Sequence, residues 1–388
     1  NWQFLKLNFV YICNQKCWKS ATSWSGDTLG ASVERHENVK RTDKKRNEFC
    51  IFTTYNLYQI HMIAEKTLNR TLHVAKSSKK DEFYTQLSDI ESELKHYTQH
   101  FKNKVVFCNC DDPRQSNFFK YFAYNFENLG LKKLFTTCYK NQETDLFFEE
   151  KTEKAVFLEY NGDLNGNKIP DAEEIGIKPL FGDGDFRSRE SIELLKQSDI
   201  VVTNPPFSLF REYVDQLVKY DKKFLIIGNI NAITYKEIFK LIKENKAWLG
   251  INMGRGISGF IVPNDYELFG TEARIDEDGN RIVATNNCLW LTNLDTFKRH
   301  EDIVLTKKYY GNEEEYPKFD NYDAINVNKT QDIPMDYEGV MGVPITFLHK
   351  YNPEQFELIK FRKGNDEKDL SINGKCPYFR ILIKNKKL

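Results

Sequence analysis

The sequence predicts an α/β domain on a largely parallel sheet with helices on both faces, followed by a less regular C-terminal region. Three observations predict it. Short apolar, strand-like runs alternate with amphipathic, helix-like runs from about residue 82 to residue 252. The polar clusters fall just after the apolar runs, where ligands sit in an open α/β sheet. At 388 residues the chain has room for two domains, or for one large domain with insertions.

Taken in order, FYTQLSDIESELKHYTQHF spaces its apolar residues as an amphipathic helix does. KVVFCNC (104–110) reads as a buried strand that runs into Asp111-Asp112. NFFKYFAYNFENLG then reads as one helix, with Gly130 as its C-terminal stop. LKKLFTTCY (131–139) and KAVFLEY (154–160) are strands, the second ending in Glu159-Tyr160. SDIVVTNPPF (198–207) is a strand entering a turn, and SLFREYVDQLVKY a helix. Strand KKFLIIGN, helix ITYKEIFKLIKEN and strand KAWLGIN follow. Beyond residue 252 the rhythm breaks into a loop-rich insertion, 253–286, before CLWLTNL (288–294) resumes as a strand. Residues 299–388 are less regular, with GVPITFL and FRILIKN as short strands.

Basic and acidic residues balance at 56 each, so no global positive field marks a protein that coats nucleic acid. An enzyme that gathers basic residues on one face stays open, and from Lys360 onward nine Lys/Arg face three Asp/Glu. A solvated surface would show the same excess. Aromatic residues reach 14%, which suits base stacking but more commonly a large core. The eight cysteines, at 13, 17, 50, 108, 110, 138, 288 and 376, lack paired zinc-knuckle spacing and read as reduced thiols. With no apolar run of membrane length and no leader pattern, the expected location is the cytoplasm. Residues 1–61 are irregular, and the first methionine is Met62. That segment is expected to lie upstream of a start at Met62, the alternative being a genuine extension.

The most informative residues are Asn204, Pro205, Pro206 and Phe207. An amino group conjugated to a planar ring is a poor nucleophile, because its lone pair is delocalised. The Asn204 side-chain oxygen and the Pro205 carbonyl could each accept a hydrogen bond from such a group, favouring pyramidal nitrogen and aiming the lone pair at a sulfonium methyl. The prolines hold the turn and leave carbonyls unused by the local backbone. Phe207 offers a face for an extruded base. An ordinary Pro-Pro turn is the alternative, and the strand before and amphipathic helix after weigh against it.

Together, KDEFYTQLSDIESEL (80–94), VVFCNCDDPRQSNFFKYF (105–122), GDGDFRSRESIELL (182–195) and DIVVTNPPFSLFREYV (199–214) resemble the EcoRI-methylase-like family of DNA adenine-specific (N6) methyltransferases. Residues 298–329 and 336–359 resemble it as well, so the likeness covers about 62–388. It implies a Rossmann-like fold, S-adenosylmethionine as donor and double-stranded DNA as substrate, with cofactor elements first, NPPF second and target recognition last. The implied division is a catalytic domain at 62–298 and a recognition region at 299–388. A cognate restriction endonuclease reading the same DNA site is an expected partner in function, without a stable complex.

On this resemblance Tyr84 and Thr85 close over the methionine part of the cofactor. Asp111, Asp112 and Pro113 stand where the first strand ends, and an acid there could hold the ammonium group. CNCDDP replaces the usual glycine-rich turn, which leaves open which of Cys108, Asn109, Cys110 and the two aspartates touches ligand. Glu159 could accept both ribose hydroxyls. Asp185 could accept the cofactor's adenine amino hydrogens while Phe186 stacks on the ring. Each acid alone is more commonly a solvated loop carboxylate; their joint placement at strand ends favours ligand.

Asp163, Asn165, Asn167, Asp171 and Glu174 follow a calcium-loop spacing, but Lys168 stands where that loop needs glycine, so a metal-free loop is favoured and no metal is expected. There is no Walker motif, no HExxH and no Pro-Cys nucleophile for cytosine-ring methylation. Three functions compete. Adenine methylation leads; the same tetrapeptide acting on glutamine, RNA or cytosine comes second; a silent DNA-binding scaffold is third. Gly254–Pro263 and the basic C-terminal region are the candidate DNA contacts.

Overall fold

The structure, a computed structural model, describes residues 84–110, 116–137, 155–166, 170, 175–262, 273–276, 279–283, 287–362, 370–376 and 379–388. All belong to the unit Lys79–Leu388. The chain runs β1 (Tyr84–Thr85), α1 (Leu87–Leu94), β2 (Val105–Asn109), α2 (Asn117–Tyr124), α3 (Phe126–Leu129), β3 (Lys133–Thr137), β4 (Val156–Tyr160) and β5 (Ile175–Pro179). Next come α4 (Arg189–Gln197), β6 (Ile200–Thr203), α5 (Phe210–Lys219), β7 (Lys223–Asn229), α6 (Lys236–Lys243) and β8 (Trp248–Met253). Then follow β9 (Phe260–Val262), β10 (Arg274–Ile275), β11 (Arg281–Val283), β12 (Cys288–Thr292), β13 (Ile325–Asn326), β14 (Met341–Pro344), β15 (Phe356–Arg362) and β16 (Arg380–Asn385).

The central sheet has eight strands in the order β5-β4-β3-β2-β6-β7-β12-β8. Its middle, β3, β2, β6 and β7, is parallel. β12 runs antiparallel between β7 and β8. On the other side β4, the KAVFLEY strand, is antiparallel to both β3 and β5. Successive side chains on a strand point to opposite faces, and both faces are covered. Val105 and Phe107 join a core with Leu195 of α4, Tyr213 and Leu217 of α5, and Ile238 and Ile242 of α6. Val106 and Cys108 join the opposite core with Ile90 and Leu94 of α1 and with Phe118 and Phe122 of α2.

Local chemistry sets the element ends. The Ser116 hydroxyl caps α2 by accepting from the Phe119 N–H at 3.2 Å. The single helix expected over 117–130 breaks at Asn125, whose φ of -102° and ψ of 11° leave the helical region. Its side-chain amide donates to the Tyr121 carbonyl at 2.8 Å, closing α2 there. Gly130 then ends α3 in the left-handed region at φ 60°.

The loop-rich insertion holds β9, β11 and β10, which with β1 form a second sheet in the order β1-β9-β11-β10. The C-terminal strands form a third, β13-β14-β16-β15. GVPITFL is only partly strand, because β14 ends at Pro344 and residues 345–350 tighten into a 3₁₀ turn. β15 adds a strand the sequence reading did not contain. Met341, Val343, Phe347 and Phe356 share one core with Phe107 and Phe224, so apolar packing is continuous from the central sheet into 299–388. Phe361 meets Phe239 of α6 at 5.6 Å, and the Lys243 ammonium donates to the Ile359 carbonyl at 2.7 Å. Among the described residues no helix is long and apolar enough to cross a membrane.

Candidate active site

β6 is buried along its whole length and delivers Asn204 at the carboxyl end of the parallel strands. The Thr203 hydroxyl donates to the carbonyl of Asn109, the last residue of β2, which ties the two strand ends together. Asn204 and Pro205 are buried, while Pro206 and Phe207 are half-buried. Pro206 has φ -54° and ψ 122°, extended enough to carry the chain past the sheet edge before the Phe207–Leu209 turn and α5.

Phe207 meets Phe260 edge-to-face, with ring centroids 6.0 Å apart. Phe260 belongs to β9, and β9 pairs with β1 so that Thr85 lies opposite Phe260 and Tyr84 opposite Ile261. The second sheet therefore brings Tyr84 and Thr85 to the NPPF turn. The Asn117 side chain donates to the Thr85 carbonyl at 2.8 Å. The Thr85 hydroxyl is buried and has no hydrogen-bond partner among the described residues. A buried hydroxyl left this way is costly, which suits it to a polar ligand group.

Two acids of α1 hold β8 and the segment after it. Asp89 Oδ2 accepts from the Ser258 N–H and hydroxyl, both at 2.9 Å. Glu93 accepts from the backbone N–H groups of Ile251 (2.7 Å) and Asn252 (2.8 Å), from the Asn252 side chain (2.9 Å) and from the Tyr97 hydroxyl (2.9 Å). Burial pushes both carboxyl pKa values up, against the lowering effect of these hydrogen bonds.

The other expected cofactor residues separate. Phe186 is buried, and its ring meets Tyr213 of α5 at 5.0 Å and 72°. The Asp185 carboxylate takes a two-pronged grip from Arg187, at 2.9 and 2.7 Å, which holds its pKa below the usual range. Glu159, expected to accept the ribose hydroxyls, lies on β4. β4 runs antiparallel to β3, and Glu159 lies opposite Phe135. Its carboxylate is bonded to Lys133 at 2.5 Å and Lys178 at 3.3 Å, and the Lys133 bond holds its pKa low. Asp111, Asp112 and Pro113 lie outside the described residues, as do Asn167, Asp171 and Glu174 of the calcium-like loop. Asp163 accepts from the Gly166 N–H at 2.7 Å, and no metal-ligating cluster occurs among the described residues.

Three residues not singled out in the sequence complete the site: Tyr213 and the α1 acids Asp89 and Glu93; Asn109 is among the open ligand candidates, and Phe260 falls within the Gly254–Pro263 segment. The i, i+4 spacing of the two acids puts them on one helix face. Nothing local announces their partners, which lie about 160 residues along the chain.

Comparison with known proteins identifies the family. The family model described as adenine-specific methyltransferase EcoRI matches residues 71–386. The type II methyltransferase M.EcoRI of Escherichia coli is 69% identical over 326 residues, covering 84% of this chain and 99% of its own. M.MgeORF184P of Mycoplasma genitalium is 40% identical, covering 81% and 98%. M.MpnI of Mycoplasma pneumoniae is 38% identical, covering 80% and 97%. Both are also named type II methyltransferases. No solved structure matches the chain significantly. On the extent of the family match and the identity to these relatives, the chain belongs to the EcoRI family of adenine-specific methyltransferases.

Proposed function

We propose that the chain methylates the N6 amino group of an adenine extruded from double-stranded DNA at a specific site, using S-adenosylmethionine. The observation that carries this reading is the position of Asn204-Pro205-Pro206-Phe207 at the carboxyl end of a buried parallel strand, with β1 brought beside Phe207 by Phe260.

When bound, the cofactor supplies an electrophilic methyl group. The donor set here fits it. The Thr85 hydroxyl is a buried polar atom awaiting a partner, and the Phe186 ring is a buried apolar wall for an adenine. Tyr84 closes beside Thr85, and in the cofactor segment Asp111-Asp112-Pro113 that follows β2 in the chain the two aspartates are the candidates for the ammonium group. Asp185 keeps lone pairs beyond those Arg187 uses and can accept from the cofactor's amino group. The Asn204 oxygen and the Pro205 carbonyl accept from the target amino group, turning its lone pair out of conjugation. Phe207 stacks on the extruded base, and Phe260 steadies its ring.

The same reading makes the central sheet a Rossmann-like methyltransferase sheet within a catalytic domain, 62–298. It assigns target recognition to 299–388, whose basic end suits phosphate contacts. A cognate endonuclease sharing the DNA site and a cytoplasmic location complete it. The test is incubation with methyl-labelled S-adenosylmethionine and duplex DNA, followed by nucleoside identification. Label on N6-methyladenine is expected; label on cytosine, or none in DNA, overturns the reading.

A further inference from the structure

The helix that follows the NPPF turn grips the end of β2 and the loop at Phe186-Arg187. Tyr213 of α5 is 1% exposed, and its hydroxyl donates to Asn109 Oδ1 at the end of β2. The Asn109 carbonyl in turn accepts from Thr203, the residue before Asn204. The ring of Tyr213 meets Phe186 at 5.0 Å. On the same stretch of helix, Gln216 donates to the Phe186 carbonyl at 2.9 Å, and Glu212 accepts from Arg187 at 3.0 Å. Past Asn109 the backbone enters the left-handed region at Cys110, with φ 71°. A cysteine holds that conformation only where neighbours enforce it.

We propose that Tyr213 is a positioning residue for methyl transfer, coupling the end of β2, at Asn109, and the Phe186 wall to the helix behind Asn204. The proposal rests on the S-adenosylmethionine reading given above. In it, one phenol sets the cofactor pocket in register with the catalytic turn. A ring alone would satisfy the packing against Phe186; the hydroxyl is what reaches Asn109. Burial pushes the phenol pKa well up, so it remains a donor throughout the working pH range.

The test titrates S-adenosylmethionine into the full chain, wild type against Tyr213→Phe, Asn109→Ala and the double variant, with thermal midpoints and steady-state kinetics alongside. Loss of one buried hydrogen bond predicts about five- to tenfold weaker cofactor binding for Tyr213→Phe. Duplex DNA affinity should be unchanged, and the double variant should be no weaker than Asn109→Ala. Cofactor affinity within twofold of wild type, whatever the thermal midpoint, overturns the proposal. So do effects that simply multiply in the double variant. If Tyr213→Phe does not fold, Asn109→Ala alone decides by the same twofold criterion. A wild type that binds no S-adenosylmethionine overturns the cofactor reading itself, and the proposal with it.

Discussion

The Glu93 carboxylate occupies the space that a side chain at position 250 would need: a Cβ built on Gly250 would lie 2.3 Å from Glu93 Oε1 and 2.6 Å from the Trp290 Cβ. Trp290 is fully buried and paired with Ile227 of β7, so an added methyl would displace Glu93 from the N–H groups of Ile251 and Asn252. Gly250→Ala should therefore cost about 2–3 kcal/mol of stability, from overpacking plus displaced hydrogen bonds. Urea unfolding measures it, and a loss below about 0.5 kcal/mol would show that the carboxylate yields freely.

Asn204→Ala should lower turnover by at least about 100-fold, the scale on which removing one aligned polar group from a reacting centre acts. Cofactor affinity should stay close to wild type, because the side chain is assigned to the target amino group. Single-turnover methylation and a separate cofactor titration read the two quantities apart. Normal turnover would refute the role given to Asn204.

What the sequence made legible follows from physical scale. The NPPF turn shows in four adjacent residues, and amphipathic helices show in their own periodicity. Strand direction leaves no such mark: KAVFLEY has the same apolar pattern whether it runs parallel or antiparallel to β3. Glu159-Tyr160 ends its own strand, as its pattern indicates, yet Glu159 lies opposite Phe135 and is bonded to Lys133. Tyr213 reads only as one apolar position of a helix, since its partner Asn109 is 104 residues away. The β1–β9 pairing that brings Thr85 to Phe207 is equally long-range.

Phe207→Ala should reduce turnover about 10- to 100-fold, as expected for losing one base-stacking ring worth about 1–3 kcal/mol. Phe207→Tyr keeps the face and the Phe260 contact and should retain most activity. Both variants should bind S-adenosylmethionine like wild type. Methylation kinetics on duplex DNA decide the point, and an alanine variant as fast as the tyrosine variant would remove base stacking from the account.

Glu159 offers a prediction in which sign matters. Its carboxyl pKa is held below the ordinary 4.5, first by the Lys133 hydrogen bond and then by Lys178, against the opposing effect of burial. A depressed folded-state pKa means the carboxylate contributes stability above its unfolded value, and that contribution fades as pH falls through the folded value. Wild type should thus exceed Glu159→Gln by about 0.5–1 kcal/mol at neutral pH, with the two curves converging as pH falls through the depressed folded-state value. Because the carboxylate serves the β3–β4 pairing, cofactor affinity should be the same in both proteins. Denaturant unfolding across pH, paired with cofactor titration, checks each half. Tenfold weaker cofactor binding in Glu159→Gln would support the ribose contact instead.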